Sequence, residues 1–371
     1  MRRVLLLGSG KIGRAIAALL GHAGDFLVRV GDVDEVALER VWGQPNVELV
    51  HVDVADHDAL CNAMSGCADV ISACPFDVTV AIATAALASG CSYFDLTEDV
   101  ASTRAVRELA DRSKSGQIFM PQCGLAPGFV SIAGHQLAQG FERLDELRLR
   151  VGALAQFPTG ALKYNLTWST DGLINEYCNP CEVIHDGEPL EVLPLEGLEQ
   201  FSLDGVDYEA FNTSGGVGSL SETLAGKVRR LDYKTVRYRG HRDLVHFLLR
   251  ELKLGERRAL LKELLEYAVP ATVQDVVLVF CVATGWKNGL YLQLSDARKV
   301  YHAERFGATW SAIQLTTASA ICAVLDMHRE GRLPDRGFVR QEQVLLEGFL
   351  SNRFGSVYAQ ANHPASFLVR S

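Results

Sequence analysis

Three groups of residues have types and spacing suited to chemistry. In Thr235-Val236-Arg237-Tyr238-Arg239-Gly240-His241, strand-like alternation places Arg237 and Arg239 on one face and Tyr238 on the other. A guanidinium pairs bidentately with a carboxylate, so Arg237 is the first choice for such an anchor and Arg239 the second. The plain alternative is a pair of solvated strand charges. His241 opens the next helix, as a base, a hydrogen-bond donor, or a helix-end residue without chemistry. The second group is acidic. Asp95 and Glu98 end a short strand, and either suits an ammonium group or a base. Asp171 and Glu176 are further candidates for recognising an amine. Helix capping is the competing role for Glu98 and Asp99, and a solvated turn for Asp171 and Glu176.

The third group is the turn Gly8-Ser9-Gly10-Lys11-Ile12-Gly13. It follows the apolar run Val4–Leu7 and opens the helical pattern Ile12–Leu20, the setting of a dinucleotide fingerprint. Such a turn brings a pyrophosphate against backbone N–H groups at a helix amino terminus. Asp32 ends the second strand and is placed to accept both ribose hydroxyls. A carboxylate there repels a 2′-phosphate, and Val33 and Asp34 supply no cation, so NAD is favoured over NADP. Asp53-Val54, ending the third strand, is a neighbour for the adenine, or Asp53 is a helix-start residue.

These groups need elements to position them. Short apolar strands are expected at 4–7, 27–30, 47–52, 70–73, 92–95 and 118–121. Helices are expected at 12–20, 56–64, 78–88 and 101–113. This alternation indicates an α/β, doubly wound parallel sheet of Rossmann type. Beyond Gly128 the alternation ends. A helix is expected at 129–138, and strands at 147–154, 162–168 and 228–238. Hairpins are expected around Asp186-Gly187 and Asn288-Gly289. Helices at 243–252 and 256–267 complete a second, α+β domain on a mixed sheet, from 127 to 304. Helices at 309–327 and 342–349 follow.

The chain has 371 residues, 48% hydrophobic and 22% charged, with a net charge of −9. That is globular composition, and its acidity argues against nucleic acid or an anionic membrane as partner. The amino-terminal apolar run stops at Gly8, too short for a signal core, and no stretch approaches the ~18 apolar residues of a span. Nine cysteines, mostly in apolar runs, fit a reducing cytoplasm. Cys178-Asn179-Pro180-Cys181 has no second ligand pair, so no metal is expected. Cys123 reads as a small buried hydrophobe before a nucleophile.

Several of these segments, taken in order, resemble the saccharopine dehydrogenase-like family. They are Ser72-Ala73-Cys74-Pro75, Tyr93-Phe94-Asp95, Cys123-Gly124-Leu125-Ala126-Pro127-Gly128, Leu162-Lys163-Tyr164-Asn165-Leu166-Thr167-Trp168-Ser169 and the 235–241 segment. Saccharopine reductases tend to carry an acid where Ala126 stands and an Arg where Asp171 stands. The segment Trp168–Tyr177 is more similar to the lysine 6-dehydrogenase branch. That resemblance implies NAD-dependent oxidation of the terminal amine of a basic amino acid, L-lysine first. It implies an amino-acid substrate, a homodimer, and Ala73 and Pro75 beside the cofactor. It keeps Asp95, Asp171, Arg237, Tyr238 and His241 as the catalytic set. It also implies that residues 305–371 return to residues 1–126 to complete the cofactor domain. A saccharopine-type dehydrogenase and an inactive NAD-binding sensor remain the alternatives.

Overall fold

A computed structural model describes residues 1–359. It divides into two compact units, Met1–Ile132 with Gln314–Ala359, and Ala133–Ile313. The first junction falls after the expected 126 because Phe129 stacks on Tyr358 at 3.8 Å and packs on Phe349. The second falls after 304 because Ala312 and Ile313 donate their backbone N–H groups to Asp275. Residues 360–371 of the expected returning segment lie outside the described residues.

The first unit begins β1 (Arg2–Leu7), α1 (Lys11–Ala23), β2 (Phe26–Asp32), α2 (Glu35–Glu39), β3 (Val47–His51) and α3 (His57–Met64). It continues β4 (Asp69–Ser72), α4 (Thr79–Ser89), β5 (Ser92–Asp95), α5 (Val100–Ala110) and β6 (Ile118–Met120). The helix α6 (Phe129–Ala138) crosses the junction. Aspartate caps explain where three helices start: Asp34, Asp56 and Asp99 accept backbone N–H groups at the heads of α2, α3 and α5. The inner runs Val4–Leu7, β4, β5 and β6 are short, apolar in the main and buried, as parallel sheets require, while the edge strand β3 is partly exposed. One side of the sheet buries Leu5, Leu7, Val70, Tyr93 and Phe119 with Ile82, Ala86 and Val106 from the helices. Each such large apolar side chain contributes roughly 1.5–3 kcal/mol by leaving water.

The second unit carries β7 (Arg143–Ala155), α7 (Thr170–Cys178), β8 (Cys181–His185), β9 (Glu188–Val192), β10 (Glu199–Leu203) and β11 (Val206–Asn212). Then come α8 (Leu220–Leu224), β12 (Arg230–Tyr238), α9 (His241–His246), α10 (Arg258–Ala268), β13 (Asp275–Lys287), β14 (Leu290–Tyr301), β15 (Ala303–Arg305) and β16 (Ala308–Trp310). Its main sheet runs β10-β11-β12-β7-β13-β14, with β8 also on β12 and β9 on β8. β7 and β12 are parallel and the other pairs antiparallel, so the sheet is mixed as expected. Residues 162–168 form no strand. Lys163 adopts a φ of 50°, which breaks extension, and only Leu166 makes a bridge, to Ala271. The strands β10 and β11 are not among the expected elements, although Val206–Ala210 alternates and Asp204-Gly205 between the two strands is a hairpin turn signal.

The chain then returns to the first unit through α11 (Ala312–Arg329), β17 (Gly337–Phe338) and α12 (Leu346–Ser351). β17 adds in parallel to β6, giving the all-parallel order β17-β6-β5-β4-β1-β2-β3. Buried Asp326 fastens this segment, pairing with Arg329 at 2.7 Å and Arg353 at 2.8 Å, while Arg353 also reaches Asp25 at 2.8 Å. No helix among the described residues is long and apolar enough to cross a membrane.

Candidate functional site

The glycine turn lies between β1 and α1. Gly8 has φ +93°, and a Cβ there would stand 2.7 Å from the Ala73 carbonyl oxygen. A Cβ on Gly13 would stand 1.8 Å from the Gly8 oxygen, so side chains are excluded at both positions. A Cβ on Gly10 would meet nothing within 4 Å, and no side chain caps α1 there. The helix head therefore opens onto a space bordered by backbone N–H groups, which fits a pyrophosphate. Lys11 and Ile12 continue the turn into α1; Lys11 is exposed, and its carbonyl accepts from Gln314 at 3.0 Å.

Asp32 stands beside this turn. One carboxylate oxygen accepts from both the backbone N–H and the hydroxyl of Ser9 at 2.7 Å, and the other from the Asp34 N–H at 3.0 Å. Burial opposes its ionisation, but these hydrogen bonds outweigh it and hold the carboxyl below its usual value. Asp53 is exposed and accepts from the Ala55 N–H at 2.9 Å, forming the turn into α3, while Val54 packs on the core. Ala73 covers Gly8, and Pro75 is exposed at the same sheet edge, before α4.

Asp95 does not match the expected amine ligand or base. It is 1% exposed, and its carboxylate accepts from the Tyr93 hydroxyl, the Thr97 N–H and the Gln122 N–H. Burial pushes it up to about 6 in spite of these donors. It ties the end of β5 to the segment after β6, a scaffold task. Asp99 takes the capping role, accepting from Ser102 at 2.7 Å. Glu98 is half-buried, and burial raises its carboxyl. Cys123 is buried, with its thiol pushed up by burial and by Asp95, which disfavours a nucleophilic thiolate.

The second unit holds a different polar centre, built on one face of its sheet. Arg237 on β12 is 2% exposed. Its Nε donates to the Tyr177 hydroxyl at 2.8 Å and its Nη1 to the Val236 carbonyl at 2.9 Å. Its Nη2 lies 3.7 Å from Glu176 Oε2. The rings of Tyr164 and Tyr177 stand 5.3 and 5.7 Å from the guanidinium carbon. Burial opposes the charge, but Tyr177, Tyr164 and Glu176 outweigh it and keep Arg237 protonated. His241, at the head of α9, contacts Tyr177 Oη at 3.0 Å through Nε2 and the Leu162 carbonyl at 2.8 Å through Nδ1. Burial, and then Arg237, push this imidazole down to about 3, so it is neutral at ordinary pH. Asn165 Oδ1, next to Tyr164, and Thr213 Oγ1, just after β11, are buried and have no hydrogen-bond partner among the described residues. Orphaned polar atoms of this kind indicate a place for water or ligand.

The structure thus brings Arg237 and His241 together and leaves three expected residues of the same unit out. Tyr238 lies on the opposite face, stacks on Tyr208 and donates to the Ala155 carbonyl at 2.8 Å. Its exclusion follows from strand alternation. Asp171 is exposed on the first turn of α7 and pairs with Lys262 at 2.6 Å. Arg239 is exposed as well. Glu176, from the same helix as Asp171, is the acid that reaches Arg237. Tyr177 is the residue that sequence reasoning passed over. Its signal was its spacing from Leu173 and Ile174, which places all three on the buried side of α7. Glu209, opposite Arg237 on β11, accepts the Gly240 and Arg242 N–H groups and fixes the turn into α9. Cys178 and Cys181 are free thiols, both raised by burial, Cys181 to about 12.

Comparison with known proteins matches residues 4–120 to the saccharopine dehydrogenase NADP binding domain and residues 124–352 to the saccharopine dehydrogenase C-terminal domain. Among solved structures, the chain is similar to apo saccharopine dehydrogenase (L-Glu forming) from Saccharomyces cerevisiae. The TM-score is 0.77 at 15% identity, covering 92% of this chain and 94% of that one. A myo-inositol dehydrogenase from Corynebacterium glutamicum gives a TM-score of 0.46 at 13% identity, covering 96% and 95%. A C. glutamicum DAP dehydrogenase in complex with DAP gives 0.49 at 11% identity, covering 97% and 99%.

Proposed function

The chain belongs to the saccharopine dehydrogenase family, and on that premise we propose that it is an NAD-dependent dehydrogenase of the terminal amine of a basic amino acid, L-lysine first. The coarser statement, an oxidoreductase with a nicotinamide-cofactor domain, follows from the family. The finer one rests on one observation, the charge inventory around Arg237. Among the described residues of that cluster, Arg237 is the buried cation and Glu176 the carboxylate beside it, while the buried Glu209 opposite Arg237 holds the Gly240 and Arg242 N–H groups. One cation with a neighbouring anion suits a substrate with one carboxylate and an ammonium. A saccharopine-type secondary amine carries more carboxylates and calls for more cations.

The Gly8–Gly13 turn would hold the pyrophosphate and Asp32 the adenosine ribose. The ionised Asp32, bonded to Ser9 and followed by Val33 and Asp34, supports NAD, since a 2′-phosphate there meets negative charge. The oxidised nicotinamide supplies a hydride acceptor when bound. The amine-bearing carbon gives up hydride and the ammonium a proton; water then releases ammonia, leaving the semialdehyde, which closes on the α-amine. Arg237 would bind the substrate carboxylate, and Glu176 its α-ammonium. His241 is too firmly neutral and too fully bonded to be the base that the sequence allowed.

The test is a panel of amines and amino acids with NAD and with NADP. NAD reduction by lysine alone, with release of ammonia, is the expected result. Oxidation of NAD(P)H only with semialdehyde plus glutamate gives the saccharopine-type reaction instead. Tight NAD binding with no amine turned over leaves a sensor.

A further inference from the structure

We infer that Tyr177 and His241 form a hydrogen-bonded clamp of fixed direction that orients Arg237, and that both are positioning residues for recognition of the substrate carboxylate. This rests on the reading of Arg237 as the carboxylate anchor. The direction follows from donor and acceptor chemistry. The Leu162 carbonyl can only accept, so the hydrogen on the imidazole sits at Nδ1. In the neutral ring Nε2 then carries a lone pair, and it lies 3.0 Å from Tyr177 Oη. The phenol therefore donates to His241. That leaves the phenolic oxygen to accept, and Arg237 Nε–H is 2.8 Å away. Donation runs one way throughout, from Arg237 to Tyr177 to His241 to Leu162. A protonated His241 would reverse the middle bond. Tyr177 would then face two donors with no acceptor for its own hydrogen, beside a second buried cation.

The consequence falls on the guanidinium. Arg237 has five N–H groups. One on Nε is held by Tyr177 and one on Nη1 by the Val236 carbonyl. Two points of attachment fix the plane of the group. The three N–H groups that remain lie on Nη1 and Nη2, the edge whose fork matches a carboxylate bidentately, with Glu176 Oε2 3.7 Å from Nη2. Without the clamp the group keeps its charge and loses its aim. The aromatic setting supports this assignment: His241 lies parallel to Phe211, with 11° between the rings, and tilts against Tyr164, so the imidazole is held at its plane as well as its ends.

The test separates orientation from folding. Tyr177→Phe keeps the ring and removes both bonds. It should raise KM for lysine about ten-fold, the scale of a lost hydrogen bond to a charged group, with kcat changed less than about three-fold. The inhibition constant of 1,5-diaminopentane, a competitor without a carboxylate, should move less than about two-fold. His241→Gln, whose amide can accept from Tyr177, should keep more lysine affinity than His241→Leu. Equal losses for lysine and the diamine would mean general damage and overturn the inference. So would an unchanged KM in Tyr177→Phe alongside a raised one in Arg237→Lys. If the wild-type protein oxidises no amino acid, the activity reading fails on its own, and the clamp is read by calorimetry with L-norleucine. Binding at least ten-fold tighter to wild type than to Tyr177→Phe supports it; equal or absent binding overturns it.

Discussion

The dinucleotide turn and the Arg237 centre are both polar, and they are built from opposite materials. The turn is backbone. Its six residues are consecutive, its key positions lack side chains, and the carboxylate beside it, Asp32, is fastened to Ser9. The Arg237 centre is side chain. Its members come from the segment after β7, from α7, β11, β12 and α9, and they meet only because the sheet register and helix faces coincide. A backbone site fails when an atom is added. A side-chain site fails when one is taken away.

The largest expected effect tests the first half of that contrast. Gly13→Ala forces a Cβ to within 1.8 Å of the Gly8 oxygen, so dinucleotide affinity should fall by about 100-fold or more, measured by fluorescence titration. Gly10→Ala is the control with a different signature. Its Cβ meets no protein atom within 4 Å; the melting temperature should hold while cofactor affinity falls.

Arg237→Ala tests the second half. Loss of a buried charge-assisted pair should raise KM for the amino acid by about 2–4 kcal/mol in free energy, and stability should fall too, because the contact of Arg237 with Glu176 is lost. An unchanged KM removes Arg237 from the site. Next in size is Asp32→Arg. The ratio of kcat/KM for NAD to that for NADP should drop by about ten-fold or more, the worth of one reversed charge contact. Equal NAD kinetics in the variant would sink the ribose assignment.

The smallest effects are in pH, and they have opposite signs at Asp95 and at His241. Asp95 titrates at about 6 in the fold against a usual 3.8. The folded state holds its proton more tightly, so its contribution is fully present below 3.8 and is lost as pH rises through about 6. His241 titrates at about 3 against 6.5. Here the unfolded chain takes the proton first; stability is full above 6.5 and is lost as pH falls through about 3. Melting curves should show Asp95→Asn flattening the loss on raising pH from 4 to 6, and His241→Gln flattening the loss on acidification from 6.5. Asp275, pushed up to about 6 by burial, behaves like Asp95 within the second unit, so single variants are needed to separate the slopes.

The same contrast explains what could be read from the chain in advance. The first unit was legible because parallel strands are short apolar runs and the turn between β1 and α1 is contiguous. All six early strands fall where the runs place them. Arg237 and His241 were legible as single residues, since guanidinium and imidazole chemistry is independent of fold. Their surroundings were not. Glu176 and Asp171 are five residues apart on one helix, and only the buried side of α7 decides that Glu176 reaches Arg237 while Asp171 meets Lys262. Asp95 shows the reverse error. A carboxylate at the carboxyl end of a Rossmann strand suits a ligand, but neighbouring N–H groups and Tyr93 occupy it. Residues 162–168 had the alternation of a strand, and the left-handed turn at Lys163 broke it.

The return of β17 to β6 sets an order of events during synthesis. The first 132 residues leave the ribosome with β6 as an open edge. Its closing strand, Gly337–Phe338, waits until residues 133–336 have been made, roughly 10–40 s at about 5–20 residues per second. Throughout that interval Asp25 lacks Arg353, and the face of Phe129 that Tyr358 covers is bare. A nascent chain stalled before Gln314 would therefore expose a strand edge and an aromatic surface together. Those are the features that chaperones bind and that aggregates recruit.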